Sequence, residues 1–519
     1  MSFQKRGLLG FVAAGVVTGF LACGPVTEPV PPGVKADGPL QKAAEQGLDG
    51  AVDVWEVYYI QGSKVGYGHT TERKVQEDGQ LFLESTAFNY LALKRFGQKI
   101  TQTLRLETIE LPTGDLVRFR SELSQGPVPV VTEGQLVGNR LIITTTTAGK
   151  AVESELPWQG SSQGFFATEQ SLRKNPMQPG EVRQLQVLIP IFNQTVKVTL
   201  KAADYESTEV LGQHQELLRI ESSADLSGVA PMKTVNWTNR EGLTLKSFVP
   251  SIGQTSYRVS KTVALTPDHA ETTFDLGDFS IVRIEGEFPL PHDTQEVVYR
   301  VRLRDEDPSR IFSTCLSQSI ESIDDRTARI VVKAVGPESP KSLESDHATR
   351  TSPEDLQPNS LIQSDDARVV EMAFSIRPQN QDPWHVACRL EKLVRDKMQA
   401  QDFSQAFATA AEVAESLQGD CTEHAVLLAA LCRAREIPAR VAMGLVYYPQ
   451  GRGFAYHMWN EVWMEDRWVP LDATLGRGGI GAAHLKLGDS NLHGAEAYAA
   501  FLPVFHVLGR LSIEIEQMR

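Results

Sequence analysis

Cysteine is scarce in this chain. Cys23, Cys315, Cys388, Cys421 and Cys432 are the only five in 519 residues. So few, so widely spread, exclude a disulfide framework. No Cys/His cluster has zinc-ligand spacing, no acidic loop has the EF-hand pattern, and no Gly-rich phosphate loop is present. His484, Asp489 and His493 share one stretch but are too scattered for a metal centre, so no metal and no cofactor is expected. Basic residues are outnumbered, 51 Lys and Arg against 65 Asp and Glu, a net charge of −14. That balance excludes nucleic acid as a partner and a polybasic membrane patch. No apolar run reaches the roughly 20 residues of a spanning helix.

What is present concentrates between residues 419 and 474. Gly419-Asp420-Cys421-Thr422-Glu423-His424-Ala425 opens an apolar run of strong helix formers. Asp420 suits an N-cap, and Glu423 three residues on completes an acidic capping box. Cys421 then takes the first helical position, where free N–H groups and the helix dipole favour thiolate over thiol. The same N–H groups suit an oxyanion. Farther on, His457, Trp459, Glu461 and Trp463 alternate with Met458, Asn460, Val462 and Met464, the period of a strand. A turn at Glu465-Asp466 sends Arg467–Leu471 back as a second strand. In that register Asp472 lies diagonally across from His457 on one sheet face, and a slip of one residue would separate them. A thiol, an imidazole and a carboxylate in this order are the parts of a covalent acyl-transfer site.

The run from about Asp382 to Gly476 resembles a transglutaminase-like catalytic domain. The matching segments are Gly-Asp-Cys-Thr-Glu-His-Ala, Ile437-Pro438-Ala439-Arg440, His-Met-Trp-Asn-Glu-Val and Trp468-Val469-Pro470-Leu471-Asp472-Ala473-Thr474. The resemblance implies a papain-like fold, Cys421 as nucleophile, His457 as general base and acid, and Asp472 as the residue orienting the imidazole. It implies a protein or peptide substrate and thiol-dependent acyl transfer on peptide or glutamine amides. Glu436 departs from the pattern, since the family more often has Gly before Ile-Pro-Ala-Arg. Trp459, Glu461 and His424 are read as lining or supporting the site, His424 as a capping or packing residue. Cys432 and Cys388 are read as core. A cysteine peptidase or amidase with the same triad, and a non-catalytic envelope binding protein, stay open as alternatives.

The N-terminus carries a second signal. Lys5 and Arg6 precede an apolar run from Gly7 to Ala22 that ends at Leu21-Ala22-Cys23-Gly24. That is the build of a secretory leader. Cys23 resembles the lipidated cysteine of bacterial lipoproteins, although Phe20 and Leu21 depart from the usual motif. The resemblance implies an exported protein held on a membrane at the periplasmic face of the cell envelope. The Pro-rich stretch after Cys23 reads as an extended tether.

Between tether and thiol region the chain reads as strands. Asp53–Ile60, Lys64–Val75 and Gln80–Leu91 are divided by Gln61-Gly62 and Asp78-Gly79, and similar runs continue to Val249. The expected fold is therefore α+β, with an antiparallel β-rich region, a curved sheet or half-barrel, before the C-terminal α+β domain. The expected divisions are a leader (1–22), tether (23–48), β-rich region (49–267), small segment (268–335), linker (336–362) and catalytic domain (363–519).

Overall fold

The computed structural model describes residues 52–519, apart from 126–127, 148, 190, 227–230, 268–273, 305, 337–349, 378–381, 399–407, 494–501 and 508. The expected leader, Cys23, the tether and much of the expected linker lie outside the described residues. Strands make up 52% of the described residues and helices 18%, so they are mostly β. Among the described residues no helix is long and apolar enough to cross a membrane.

One 15-stranded sheet holds the N-terminal half. Two antiparallel meanders join where the first strand, Val52–Ile60, pairs with the last, Gln254–Val259. The first strand therefore lies mid-sheet, and its neighbours fan outward on both sides. Tight turns set the registers. Asp78-Gly79 (φ 48° and 80°), Phe96-Gly97 (47° and 82°) and Leu211-Gly212 (50° and 81°) have two consecutive positive φ angles, the turn whose twist suits a hairpin. The sheet curls back on itself. Phe119 and Leu141 from one arm share a core with Leu188 from the other. Helix Ala167–Lys174 packs within the curl through Ala167 and Leu172.

The C-terminal half builds on a five-stranded sheet in which Gly453–Met464 pairs with Ala439–Tyr448, Arg467–Leu471 and the short Val282–Arg283. Helix Cys421–Ala434 is buried from Cys421 to Arg433, its stretch 425–432 being apolar on every face, and it is packed by strands and by the helices Ala367–Ser375, Pro383–Lys397 and Ala410–Ser416. It ends with Glu436 at φ 60°, the left-handed position where glycine would sit without a Cβ penalty. A third sheet contains Glu296–Leu303, Gln318–Asp324, Thr327–Lys333 and the chain's last strand, Leu511–Met518. The small segment and the C-terminal end thus share one ladder.

Candidate active site

Asp420 caps the Cys421 helix. Its Oδ1 accepts from the Thr422 N–H at 2.8 Å, and Glu423 Oε2 accepts from the Asp420 N–H at 2.9 Å. Two of the helix's otherwise unpaired donors are thereby met, and Cys421 follows as the first helical residue, 1% exposed. Burial, then the charge of Asp420, holds the Glu423 carboxyl well above its usual range.

The cap is completed from the other half of the chain. Arg95 Nη2 lies 2.5 Å from Asp420 Oδ2, both side chains being 1% exposed. Arg95 ends strand Gln80–Arg95, and the hairpin tip beyond it is seated firmly. The Phe96 and Gly97 N–H groups donate to the Asp275 carboxylate at 2.8 and 2.6 Å, and the Phe96 ring meets Tyr448 edge-on at 5.7 Å. Nothing in the sequence around Arg95 marks it as a partner for a residue 325 positions away.

The imidazole and carboxylate are placed by a hairpin. Glu465 (φ 47°) and Asp466 (φ 60°) make a two-residue turn that pairs Met464 with Arg467 and Asn460 with Leu471. The chain leaves the ladder at Asp472. His457 Nε2 lies 2.8 Å from Asp472 Oδ2, with both residues buried. Asp472 Oδ1 accepts from the Thr474 N–H at 2.8 Å and its hydroxyl at 2.6 Å. Burial alone would raise the Asp472 carboxyl, but His457 and His484 together hold it well below the usual carboxylate range. The other ring nitrogen of His457, Nδ1, is buried without a hydrogen-bond partner among the described residues. Asn460, three residues along the same strand, donates from Nδ2 to the Ala425 carbonyl at 2.8 Å and ties the His457 strand to the Cys421 helix. Gly444, opposite His457 in the ladder, has no room for a side chain, since a Cβ would fall 2.0 Å from the Leu485 carbonyl.

The supporting residues divide by role. Trp459 stacks on His457 at 6.1 Å and meets His484 edge-on at 5.3 Å, walling the imidazoles. Glu461 belongs to a buried ion network instead. Lys486 Nζ bonds it at 2.6 Å and Arg440 at 2.7 Å, and both cations also hold Asp489. His424 Nδ1 lies 2.6 Å from the Asp420 carbonyl, and burial lowers its pKa, so it is a neutral donor within the helix's first turn. Cys432 is fully buried, its thiol pushed up to about 12, and burial raises Cys388 and Cys315 as well.

His484, Asp489 and His493 do not come together. His484 Nε2 instead lies 3.0 Å from Asp472 Oδ2, so one carboxylate oxygen serves two imidazoles. His457, Asp472 and His484 have ligand atoms within 4.8 Å of one another, the distance range of a metal site among the described residues. Their Nε2 atoms are directed at Oδ2 itself, so ligation would require breaking both bonds. The sequence grouped His484 with Asp489 and His493 and did not show its pairing with Asp472, because a strand histidine twelve residues from Asp472 carries no spacing signal.

Glu391, on helix Pro383–Lys397, lies beneath the Asp472 turn. It accepts from the Gly478 N–H at 2.6 Å and the Asp472 N–H at 3.2 Å, and burial pushes its carboxyl up to about 8. Between the ordinary carboxyl range near 4.5 and about 8, the folded chain keeps a proton that the unfolded chain has lost. Stability should therefore fall as pH rises through that window, by on the order of a few kcal/mol from this group. Denaturant melts at pH 5 and pH 8 should differ less in Glu391→Gln than in wild type. An unchanged difference would show that Glu391 does not titrate there.

Residues 370–473 match the transglutaminase-like superfamily. This transglutaminase-like domain spans the Cys421 helix, the His457 hairpin and Asp472. No curated protein matches the chain. Among solved structures, a "putative cysteine protease" from Cytophaga hutchinsonii is similar at 15% identity and a TM-score of 0.28, over 44% of this chain and 89% of that one. A beta-barrel-like protein of a domain of unknown function from Brucella abortus is similar at 11% identity and a TM-score of 0.30, over 40% and 95%. The family match is the comparison that bears on the site.

Proposed function

We propose that the transglutaminase-like domain carries out thiol-dependent acyl transfer on peptide or glutamine amides, with Cys421, His457 and Asp472 as its triad. The observation that carries this reading is the buried 2.8 Å contact of His457 Nε2 with Asp472, which leaves Nδ1 unbonded for a thiol proton. Cys421 Sγ attacks the amide carbonyl as its proton passes to His457. The oxyanion forms at the start of the Cys421 helix, where the helix dipole favours negative charge. Collapse breaks the C–N bond, and His457 returns the proton to the leaving amine, or to ammonia from a glutamine. The thioester then meets water or a second amine, regenerating the thiol. The second oxyanion donor in this reading is Tyr456, whose buried hydroxyl has no hydrogen-bond partner among the described residues and whose surroundings include Cys421.

Asp472→Asn should keep the nucleophile but lose the negative charge and one of the two acceptor oxygens that serve the imidazoles and Thr474. Amide turnover should fall about 10²- to 10⁴-fold without vanishing. Wild-type turnover in this variant would remove Asp472 from the mechanism.

The direct test incubates the protein with glutamine-containing peptides, with and without a primary amine, and maps products by mass spectrometry. A thioester at Cys421 with an amine adduct supports transglutamination, and cleavage or deamidation supports the hydrolase alternative. No thiol-dependent product from any peptide favours a binding protein instead. The leader-like N-terminus and Cys23 add a proposal for location, a lipid-anchored protein at the periplasmic face of the envelope. Fractionation of wild type and Cys23→Ala tests it, and equal membrane retention of the two would contradict lipidation at Cys23.

A further inference from the structure

A cavity of about 180 Å³ lies inside the curled N-terminal sheet, walled by the first, second and last strands of the meanders and by helix Ala167–Lys174. Two opposite charges face it from paired positions. Glu56 and Arg258 are cross-strand neighbours in the register of Val52–Ile60 with Gln254–Val259, and both line the cavity. Arg258 is 4% exposed, yet its Nε and Nη1 have no hydrogen-bond partner among the described residues. Leaving buried guanidinium donors unbonded costs roughly 1–3 kcal/mol or more, so such a group calls for an acceptor. Glu169 and Glu56 offset part of the Arg258 charge without bonding Nε or Nη1. Arg173 pairs with Glu72 at 2.7 Å, and Glu169 accepts from the Thr244 hydroxyl at 3.0 Å. Burial raises the Glu56 carboxyl to about 7, which an ammonium beside it would reverse. Leu106, Phe165, Phe166 and Leu172 supply an apolar wall.

We propose that this cavity binds a free apolar α-amino acid, its carboxylate on Arg258, its ammonium on Glu56 and its side chain against the apolar wall. The planar guanidinium fork suits a carboxylate, and the adjacent Glu56 supplies the opposite charge. Size limits the ligand. At about 180 Å³ the space is below the roughly 300 Å³ at which drug-sized pockets begin, which suits one small molecule. The charged lining disfavours a lipid chain. The site stands apart from the thiol chemistry, so either can fail without the other.

The test uses the full chain with single L-amino acids in thermal-shift and calorimetric titrations. 4-Methylpentanoate, which lacks the amine, and isopentylamine, which lacks the carboxylate, run beside leucine. Leucine or another apolar amino acid should raise the thermal midpoint, and neither control should. Arg258→Gln and Glu56→Gln should each weaken binding at least tenfold and leave amide turnover unchanged. If Arg258→Gln does not fold, the isosteric Glu56→Gln carries the same comparison. The proposal is overturned if no amino acid binds, if 4-methylpentanoate binds as tightly as leucine, or if a folded variant keeps wild-type affinity.

Discussion

Cys421→Ala is expected to reduce amide turnover to background, a loss on the order of 10⁴- to 10⁶-fold, comparable to removing the nucleophile of a serine protease. Its thermal midpoint should stay within a few degrees of wild type. Alanine is the strongest helix former, and the two capping bonds of Asp420 and Glu423 do not involve the thiol. Burial of Cys421 at 1% exposure means that one sulfur's packing is lost, which costs on the order of 1 kcal/mol. Cys432→Ala, in the same helix and equally buried, should cost a similar amount of stability but keep turnover. Full activity in Cys421→Ala, measured beside the Cys432 variant, would end the covalent mechanism.

Arg95→Ala is expected to cost about 3–5 kcal/mol of stability, because it leaves the buried Asp420 carboxylate without its cation. The damage should reach chemistry as well. Asp420 holds the first turn from which Cys421 projects, so a displaced cap misplaces the nucleophile. Arg95→Ala combined with Asp420→Asn separates the two effects, since asparagine still caps a helix and brings no buried charge. The double variant should recover part of the stability lost in Arg95→Ala, by chemical denaturation. If each single variant costs less than about 1 kcal/mol, the pair contributes no more than a surface ion pair. An N-terminal sheet that supplies this arginine is part of the site's construction and not merely a spacer.

The local parts of the site were legible because each rests on neighbours in sequence. The capping box lies within four residues, and the two-residue turn at Glu465-Asp466 fixes the register that brings Asp472 toward His457. Parts made across long separations left no sequence pattern. Arg95 looks like an ordinary strand terminus, and His484 shares Asp472 only because its strand pairs with Ala439–Tyr448. The fold follows the same division. Alternating strands such as Val52–Ile60 and Gln80–Arg95 could be read, whereas Gln254–Val259 is buried on both faces despite its polar Gln-Thr-Ser-Tyr-Arg-Val. Lys150–Pro157 puts Val152 and Leu156 on its inward face but leaves them only half-buried, and its register comes from its partner Arg140–Thr147. Helix Ala167–Lys174 is short and polar because it sits in a charged lumen, bonding Glu72 through Arg173 and Glu110 through Gln170. The ion network of Arg440, Glu461, Lys486 and Asp489 likewise shows why Glu461 belongs to the strand's support.

The central claim is a thiol at Cys421 activated by the imidazole that Asp472 orients. Thiolate absorbance near 240 nm, titrated against pH in wild type and Cys421→Ala, tests it without knowledge of a substrate. Burial pushes up the thiols of Cys315, Cys388 and Cys432, so none of them should contribute at neutral pH. The account predicts one thiolate in wild type with an apparent pKa below about 7, absent in Cys421→Ala and shifted above about 8 in His457→Ala. Identical wild-type and Cys421→Ala titrations below pH 8 would contradict it.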